Sequence, residues 1–219
     1  MTLLTINNVE RDIHTLGPGP AAVIWTQGCA RNCPGCASPH TFDPEGGRQV
    51  EVRAAAQWLH ETGLRHLTLS GGEPADQPAA LIELITTIRR QRDWTVTMYT
   101  GHTLEALRAD RPAGSAALLS HLDLLIDGPY VRRHHASLLW RGSTNQRIHD
   151  LTARVPLPPD ESAGITTIVD ADGSFRLVGV YPEPDVADRL VAALGLAEVP
   201  VHLDRPRTLP IPAAATQET

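Results

Sequence analysis

The sequence predicts an α/β fold in which a parallel sheet carries helices on its outside. Four short apolar runs of strand type recur between residues 21 and 127, and segments with a helical apolar rhythm separate them. Strands that alternate with helices of this length form βαβ units, whose strands lie parallel. Each predicted strand also ends at a segment rich in Gly, Pro or Cys. Ligands in such sheets bind beyond the carboxyl ends of the strands, so these segments are candidates for one shared site.

The individual elements follow in chain order. We expect strands at AAVIWT, RHLTLS, WTVTMYTG and LDLLIDGP, and helices at VEVRAAAQWLHETG, PAALIELITTIRRQRD and TLEALRAD. The first two helices each carry one apolar face at helical spacing, which predicts the residues that pack on the sheet. These residues are Val52, Ala55, Trp58 and Leu59 in the first helix, and Leu81, Leu84, Ile85 and Ile88 in the second.

The composition changes after residue 152, which we take as the end of the α/β core at 1–152. The proline-rich stretch 153–163 is typical of a linker. Residues 164–204 predict a small appendage: a β-hairpin that turns at Asp172-Gly173, followed by one amphipathic helix after Pro184. The tail at 205–219 has little apolar content, and we expect it to be disordered.

Charge and composition exclude several classes of function. The formal net charge is −6 and apolar residues make up 42% of the chain. Nucleic-acid binding needs a concentrated basic face, so we expect no nucleic-acid partner. No run of about 18 apolar residues predicts a membrane span, and MTLLTINNVERD has no signal-peptide pattern. We therefore expect a cytoplasmic protein, in a compartment that keeps thiols reduced.

All three cysteines, Cys29, Cys33 and Cys36, lie in WTQGCARNCPGC with the spacing C-x3-C-x2-C. Three interpretations are open. A structural zinc site needs a fourth ligand, which His14, His40 or His60 could supply. A dithiol redox site would use Cys33 and Cys36 alone. A four-iron, four-sulfur cluster held by three thiolates would leave one iron open to a small molecule.

Residues around the cysteines favour the cluster in a loop at 28–37. Gly28 and Gly35 let the backbone wrap closely around a bulky inorganic group, where a side chain would clash. Asn32 and the loop amides can donate hydrogen bonds to sulfur. No H-x3-5-H pair, as in a zinc finger, follows the cysteines.

Six segments together carry a family resemblance, and in chain order they are LGPG, WTQGCARNCPGC, LTLSGGEP, YTGHTLEAL, LDLLIDGPYV and SLLWRGSTNQRI. The cysteine spacing followed by GGEP resembles the radical S-adenosylmethionine (SAM) superfamily. The whole set, over about residues 16 to 150, resembles the activating enzymes of anaerobic ribonucleoside-triphosphate reductase. The resemblance implies an open partial (β/α) barrel of the radical SAM type.

The resemblance also implies roles for individual residues. Cys29, Cys33 and Cys36 would bind a 4Fe-4S cluster. The SAM contacts would come from Gly35, Cys36, Ala37, Gly71, Gly72, Glu73, Pro74, Thr100 and Asp127. Arg141, Ser143, Asn145 and Gln146 match the late family motif, to which the sequence assigns no role. Ala37 departs from the family, which often has an aromatic residue there.

The implied activity is reductive cleavage of SAM to a 5′-deoxyadenosyl radical that creates a glycyl radical on a larger partner enzyme. A flavodoxin- or ferredoxin-type protein would supply the electron. Two alternatives remain: an enzyme that modifies a peptide or small metabolite with the same core, and an iron–sulfur electron carrier or sensor without catalysis. The appendage after residue 152 is absent from minimal family members and carries none of their motifs.

Overall fold

A seven-stranded sheet forms the centre of the computed structural model, which describes residues 1–162, 164–169, 175–183, 189, 192 and 209–214. Its strands, in chain order, are β1 (Leu3–Ile13), β2 (Ala21–Thr26), β3 (Arg48–Glu51), β4 (His66–Gly71), β5 (Thr95–Tyr99), β6 (Leu124–Asp127) and β9 (Arg147–Asp150). Their order across the sheet is β3-β1-β2-β4-β5-β6-β9. Two hairpins lie outside this sheet and consist of β7 (His135–Leu138) with β8 (Arg141–Ser143), and β10 (Ile165–Val169) with β11 (Phe175–Gly179).

The four predicted strands β2, β4, β5 and β6 lie side by side and parallel, which confirms the predicted parallel core. Strands β1, β3 and β9 were not predicted, and they add antiparallel strands at the two edges. In β1, two adjacent asparagines interrupt the apolar alternation. Asn7 is nevertheless buried, because its Nδ2 donates a 2.7 Å hydrogen bond to Gln27 Oε1.

Among the described residues, four α-helices with defined bounds accompany the sheet: α1 (Val52–Glu61), α2 (Pro78–Arg89), α3 (Leu104–Arg108) and α4 (Ser115–Leu119). The apolar faces predicted for α1 and α2 are buried in the main core together with β-strand residues, as expected. Each fully buried Leu or Ile contributes about 1.5–3 kcal/mol, so these faces fix both helices on the sheet. Helix α4 was not predicted. No helix among the described residues has the length and apolar character needed to cross a membrane.

The opposite face of the sheet holds a second apolar cluster of Ile13, Leu16, Val23 and Trp25, with Tyr99 packed against it. The β10–β11 hairpin lies on this face through Ile168 and Val178. Thr15 Oγ1 donates to Val178 O at 2.9 Å, and Arg176 forms an ion pair with Glu10 on β1. Both partners of that pair are at least 90% buried, so the hairpin is an integral part of this face.

The segment after residue 152 was predicted to contain a linker and, beyond the hairpin, a helix. Residues 153–162 contain no helix or strand, in keeping with their proline content. The predicted helix after Pro184 lies mostly outside the described residues, so the appendage as a unit stays a prediction.

Residues 209–214, within the tail for which disorder is expected, contact the main core. Leu209 and Ile211 are buried in the main core, and Arg48 donates hydrogen bonds to the carbonyl oxygens of both. Two apolar side chains and these backbone contacts therefore anchor the segment on the core.

Candidate cofactor site

One cavity of about 410 Å³ lies where β2, β4, β5 and β6 end. This volume is within the usual range for small-molecule sites. The carboxyl ends of the parallel strands therefore meet at one site, as expected. Ten of the residues predicted for the cluster, the SAM contacts and the late motif line the cavity, namely Cys29, Cys33, Gly35, Cys36, Ala37, Gly71, Gly72, Glu73, Thr100 and Gln146. The backbone and side chains of 176–181, from the hairpin, form part of the same wall.

The cysteine loop begins directly after β2 and is fixed by backbone hydrogen bonds. Gly28 N donates to Thr41 O at 2.9 Å, and Cys29 N donates to Phe42 O at 3.1 Å. Gly28 and Gly35 have φ values of 95° and 78°, a region that favours glycine because it has no Cβ. The sequence prediction that glycines let this loop curve is consistent with both values.

All three thiols are partly exposed, and those of Cys29 and Cys36 accept hydrogen bonds from backbone amides. Burial raises the pKa of the Cys29 thiol, and the nearby Glu73 carboxylate acts in the same direction. The backbone amides of Arg31 and Asn32 donate to Cys29 and oppose that shift. Ser38 N donates to Cys36 Sγ at 3.4 Å. Amides that point at sulfur stabilise thiolates, and three soft thiolates at one cavity fit an iron–sulfur cluster.

The described residues do not support the zinc interpretation. Among them, no three or more His, Cys, Asp or Glu side chains converge on the position of one metal ion. Of the three histidines considered as a fourth ligand, His40 lines the cavity, whereas His14 is paired with Asp12 and the ring of His60 packs against Trp94. A cluster differs from a single ion in this respect, since each cysteine would bind a different iron atom. The arrangement is therefore compatible with a cluster.

Gly71 and Gly72 bring the end of β4 into direct contact with the start of the cysteine loop. Gly72 N donates to Thr26 O at 2.8 Å, and Glu73 N donates to Gly28 O at 2.8 Å. A Cβ on Gly72 would lie 2.2 Å from Gly28 O, and one on Gly71 would lie 2.5 Å from Thr26 N. Both glycines are therefore needed for this close approach, in addition to lining the cavity.

Glu73 is a buried carboxylate that joins the ends of β4 and β5. It accepts hydrogen bonds from Thr100 Oγ1 at 2.7 Å, Gly101 N at 2.9 Å and Ala75 N at 3.0 Å. Arg31 Nε lies 3.6 Å from it. Burial raises the pKa of Glu73, although these donors and Arg31 oppose the shift. A buried carboxylate in the cavity wall favours a positively charged group of a ligand.

Pro74 and Asp127 differ from the other predicted SAM contacts, since neither lines the cavity. The carboxylate of Asp127 accepts from Leu104 N at 2.7 Å, at the start of α3, and pairs with Arg147 and His149. Burial acts to raise the pKa of Asp127, but these donors outweigh it and the pKa is lowered. The position of Asp127 therefore gives no support to a SAM contact; its carboxylate holds α3 and β9 at the end of β6.

The four residues of the late motif are brought together beside the cavity, although only Gln146 lines it. Arg141 forms an ion pair with Asp160, with an N–O distance of 2.5 Å. Ser143, Asn145 and Gln146 contact the loop that follows β6.

Several residues of the cavity wall were not singled out from the sequence, among them Arg31, Tyr99 and Tyr130. Arg31 lies within the cysteine loop, and its Nη2 contacts His102 Nδ1 at 2.7 Å. Tyr99 and Tyr130 stand next to the predicted strand-end segments TG and DGP. Both tyrosines could have been predicted as cavity residues from their position beside these segments, because side chains at the ends of parallel strands lie at the same edge of the sheet.

Comparisons with known proteins identify the family of this chain. Residues 15–149 match the family of 4Fe-4S single cluster domains. The anaerobic ribonucleoside-triphosphate reductase-activating protein of Vibrio cholerae is 33% identical over 147 residues, which cover 62% of this chain and 91% of that protein. The proteins of the same name from Escherichia coli K12 and Enterobacteria phage T4 are each 28% identical. Their matches cover 91% and 85% of those proteins, and 62% and 60% of this chain. The chain therefore belongs to the family of anaerobic ribonucleoside-triphosphate reductase-activating proteins and contains that family's 4Fe-4S single cluster domain.

Proposed function

We propose that this protein cleaves SAM reductively and uses the resulting radical to activate a glycyl radical enzyme, an anaerobic ribonucleoside-triphosphate reductase. The observation that carries the proposal is the shared cavity. The three thiols open onto the same space as Gly71, Gly72 and Glu73, at the carboxyl ends of parallel strands. The names of the relatives support the choice of target.

Cys29, Cys33 and Cys36 would hold the cluster, and the amides of the cysteine loop would stabilise their thiolates. When bound, the cluster supplies one electron that breaks a carbon–sulfur bond of SAM, giving methionine and a 5′-deoxyadenosyl radical that takes a hydrogen atom from glycine. Glu73 provides negative charge and hydrogen-bond acceptors for the ammonium group of SAM. The buried contacts of Thr100 and Gly101 fix the position of that carboxylate.

The proposed reaction needs an electron donor, a reducing compartment and a substrate. A flavodoxin- or ferredoxin-type protein would supply the electron, and a cytoplasmic location would keep the three thiols reduced. The substrate would be a glycine-bearing segment of the large reductase, and this segment must enter the cavity.

The hairpin wall favours a second candidate function, modification of a peptide or small metabolite by the same chemistry. Residues 176–181 line the cavity but lie outside the region that matches the family domain. Because the hairpin forms one wall of the cavity, it limits the width of a substrate segment that can enter the cavity. A smaller substrate would fit this restriction more easily than a large enzyme.

The two functions are distinguished by incubating anaerobically reconstituted, reduced protein with SAM and its cognate anaerobic reductase. We expect a glycyl radical signal on the reductase by electron paramagnetic resonance, with 5′-deoxyadenosine formed in matching amount, and neither product with Cys33→Ala. Formation of 5′-deoxyadenosine without a radical on the reductase would refute the proposed target and favour a smaller substrate. A fully loaded cluster with no SAM binding would favour an electron carrier or sensor.

A further inference from the structure

The late motif at 140–146 surrounds one tyrosine of the cavity wall, Tyr130. This tyrosine follows the strand-end segment Asp127-Gly128-Pro129 and lines the cavity together with Gly35, Cys36 and Gly142. The sequence assigned no role to the motif. Its hydrogen bonds converge on the backbone immediately before and after Tyr130.

Three side chains of the motif hold that backbone. Gln146 Nε2 donates to Gly128 O at 3.2 Å, and Asn145 Nδ2 donates to Pro129 O at 2.7 Å. On the other side of Tyr130, Val131 N donates to Ser143 Oγ at 3.3 Å. The residues that flank Tyr130 in the chain are therefore each fixed by a different member of the motif.

Gln146 also orders the motif itself. Its Oε1 accepts hydrogen bonds from Gly142 N at 2.9 Å and Ser143 N at 3.2 Å. One side-chain amide thus connects the β8 strand to the loop after β6. Removing it would leave two backbone amides and one carbonyl without this partner.

Two glycines contact opposite edges of the Tyr130 ring. A Cβ built on Gly35 would lie 3.3 Å from Tyr130 Cε1, and one built on Gly142 would lie 3.4 Å from Cδ2 and 3.5 Å from Cε2. The hydroxyl group is fixed as well, since it contacts His135 Nδ1 at 3.1 Å. The ring is therefore held at its edges and its hydroxyl, against the cysteine loop next to Cys36.

We propose that Ser143, Asn145 and Gln146 are positioning residues that hold the ring of Tyr130 as an aromatic wall of the SAM cavity, next to Gly35 and Cys36. This inference rests on the proposed function. A ring fixed at its edges offers a face to a planar group, and the planar part of SAM is its adenine. Stacking of a base on an aromatic side chain is sequence-tolerant and strong enough to change affinity about tenfold.

The test measures SAM binding by equilibrium dialysis on anaerobically reconstituted proteins with equal iron content. We expect Tyr130→Leu and Gln146→Ala to raise the Kd for SAM about tenfold, because the first removes the ring and the second releases the loop that carries it. Tyr130→Phe keeps the ring and should stay within about threefold of wild type. Thr144→Ala is the matched control, since Thr144 is exposed in the same turn and should bind SAM as wild type does.

Each outcome decides the inference. A Tyr130→Leu protein that binds SAM as tightly as Tyr130→Phe would overturn the role of the ring, and wild-type affinity in Gln146→Ala would overturn the role of the motif. If Gln146→Ala does not fold, Asn145→Ala removes only the bond to Pro129 O and provides the same comparison. Failure of the proposed function looks different, because the wild-type protein itself would then not bind SAM.

Discussion

Thr100 Oγ1 donates a 2.7 Å hydrogen bond to Glu73 Oε1, and this contact joins the carboxyl ends of β4 and β5 inside the cavity wall. Thr100→Val keeps the shape of the side chain but removes the donor from a buried carboxylate. Hydrogen bonds to charged groups contribute about 1.5–3 kcal/mol, so we expect a loss of that size in the free energy of unfolding. Urea unfolding measures it. Thr100→Ser, which keeps the hydroxyl, should lose much less, and equal losses in the two variants would contradict this role.

Glu73 predicts a pH dependence of stability. Burial raises the pKa of its carboxyl in the folded protein above the ordinary value of 4.5, so the folded state binds the proton more tightly than the unfolded state. Proton binding by Glu73 therefore stabilises the folded state. This contribution to the free energy of unfolding is fully present below pH 4.5 and is lost as the pH rises through the pKa of Glu73 in the folded protein. We therefore expect the Tm of wild type minus that of Glu73→Gln to fall as the pH increases above 4.5.

The measurement uses thermal unfolding of the two cluster-free proteins in parallel, so that acid lability of the cluster plays no part. A difference in Tm that is constant with pH, or that grows as the pH rises, would show that Glu73 has no raised pKa.

Arg147 offers a contrast between a buried and an exposed ion pair. It contacts the buried Asp127 and the exposed Glu105, whose pKa it lowers to about 2. Arg147→Met leaves Asp127 with His149 and Leu104 N only, and we expect a loss of about 2 kcal/mol in the free energy of unfolding. Glu105→Gln breaks only the exposed pair and should have a much smaller effect. Similar losses in chemical denaturation for both variants would contradict this assignment.

Ile211 tests whether the C-terminal segment is docked on the core. Its side chain is fully buried in the main cluster. Truncating a buried Ile to Ala costs about 2–5 kcal/mol, so Ile211→Ala should lower the midpoint of denaturant unfolding clearly. The control is Leu157→Ala, since Leu157 is 46% exposed. Identical midpoints for the two variants would mean that the segment does not contribute to the core.

Hydrophobic periodicity predicted the centre of the fold well. The four parallel strands and the buried faces of α1 and α2 are where the apolar pattern placed them. Strand β1 was missed because Asn7 and Asn8 interrupt that pattern, and its stability depends on a long-range contact between Asn7 and Gln27. The anchoring of Leu209 and Ile211 was missed for a similar reason, since contact with Arg48 is invisible to local composition.

The part of the candidate site that lies directly at the ends of the parallel strands was predictable from the sequence. Cys29, Gly72, Glu73 and Thr100 follow their strands and line the same cavity. Asp127 also lies at the end of its strand, but its carboxylate pairs with Arg147 and His149 and does not line the cavity. Which way a side chain turns at the end of a strand depends on partners far along the chain, and a single sequence does not reveal them.

The central claim is radical cleavage of SAM at a cluster held by Cys29, Cys33 and Cys36. The most direct measurement is formation of 5′-deoxyadenosine from SAM by the anaerobically reconstituted, chemically reduced protein, with Cys33→Ala as the control. We predict product with the wild-type protein and none with Cys33→Ala. A wild-type protein that carries zinc in place of iron, or that binds iron and SAM fully yet makes no more product than Cys33→Ala, would contradict the claim.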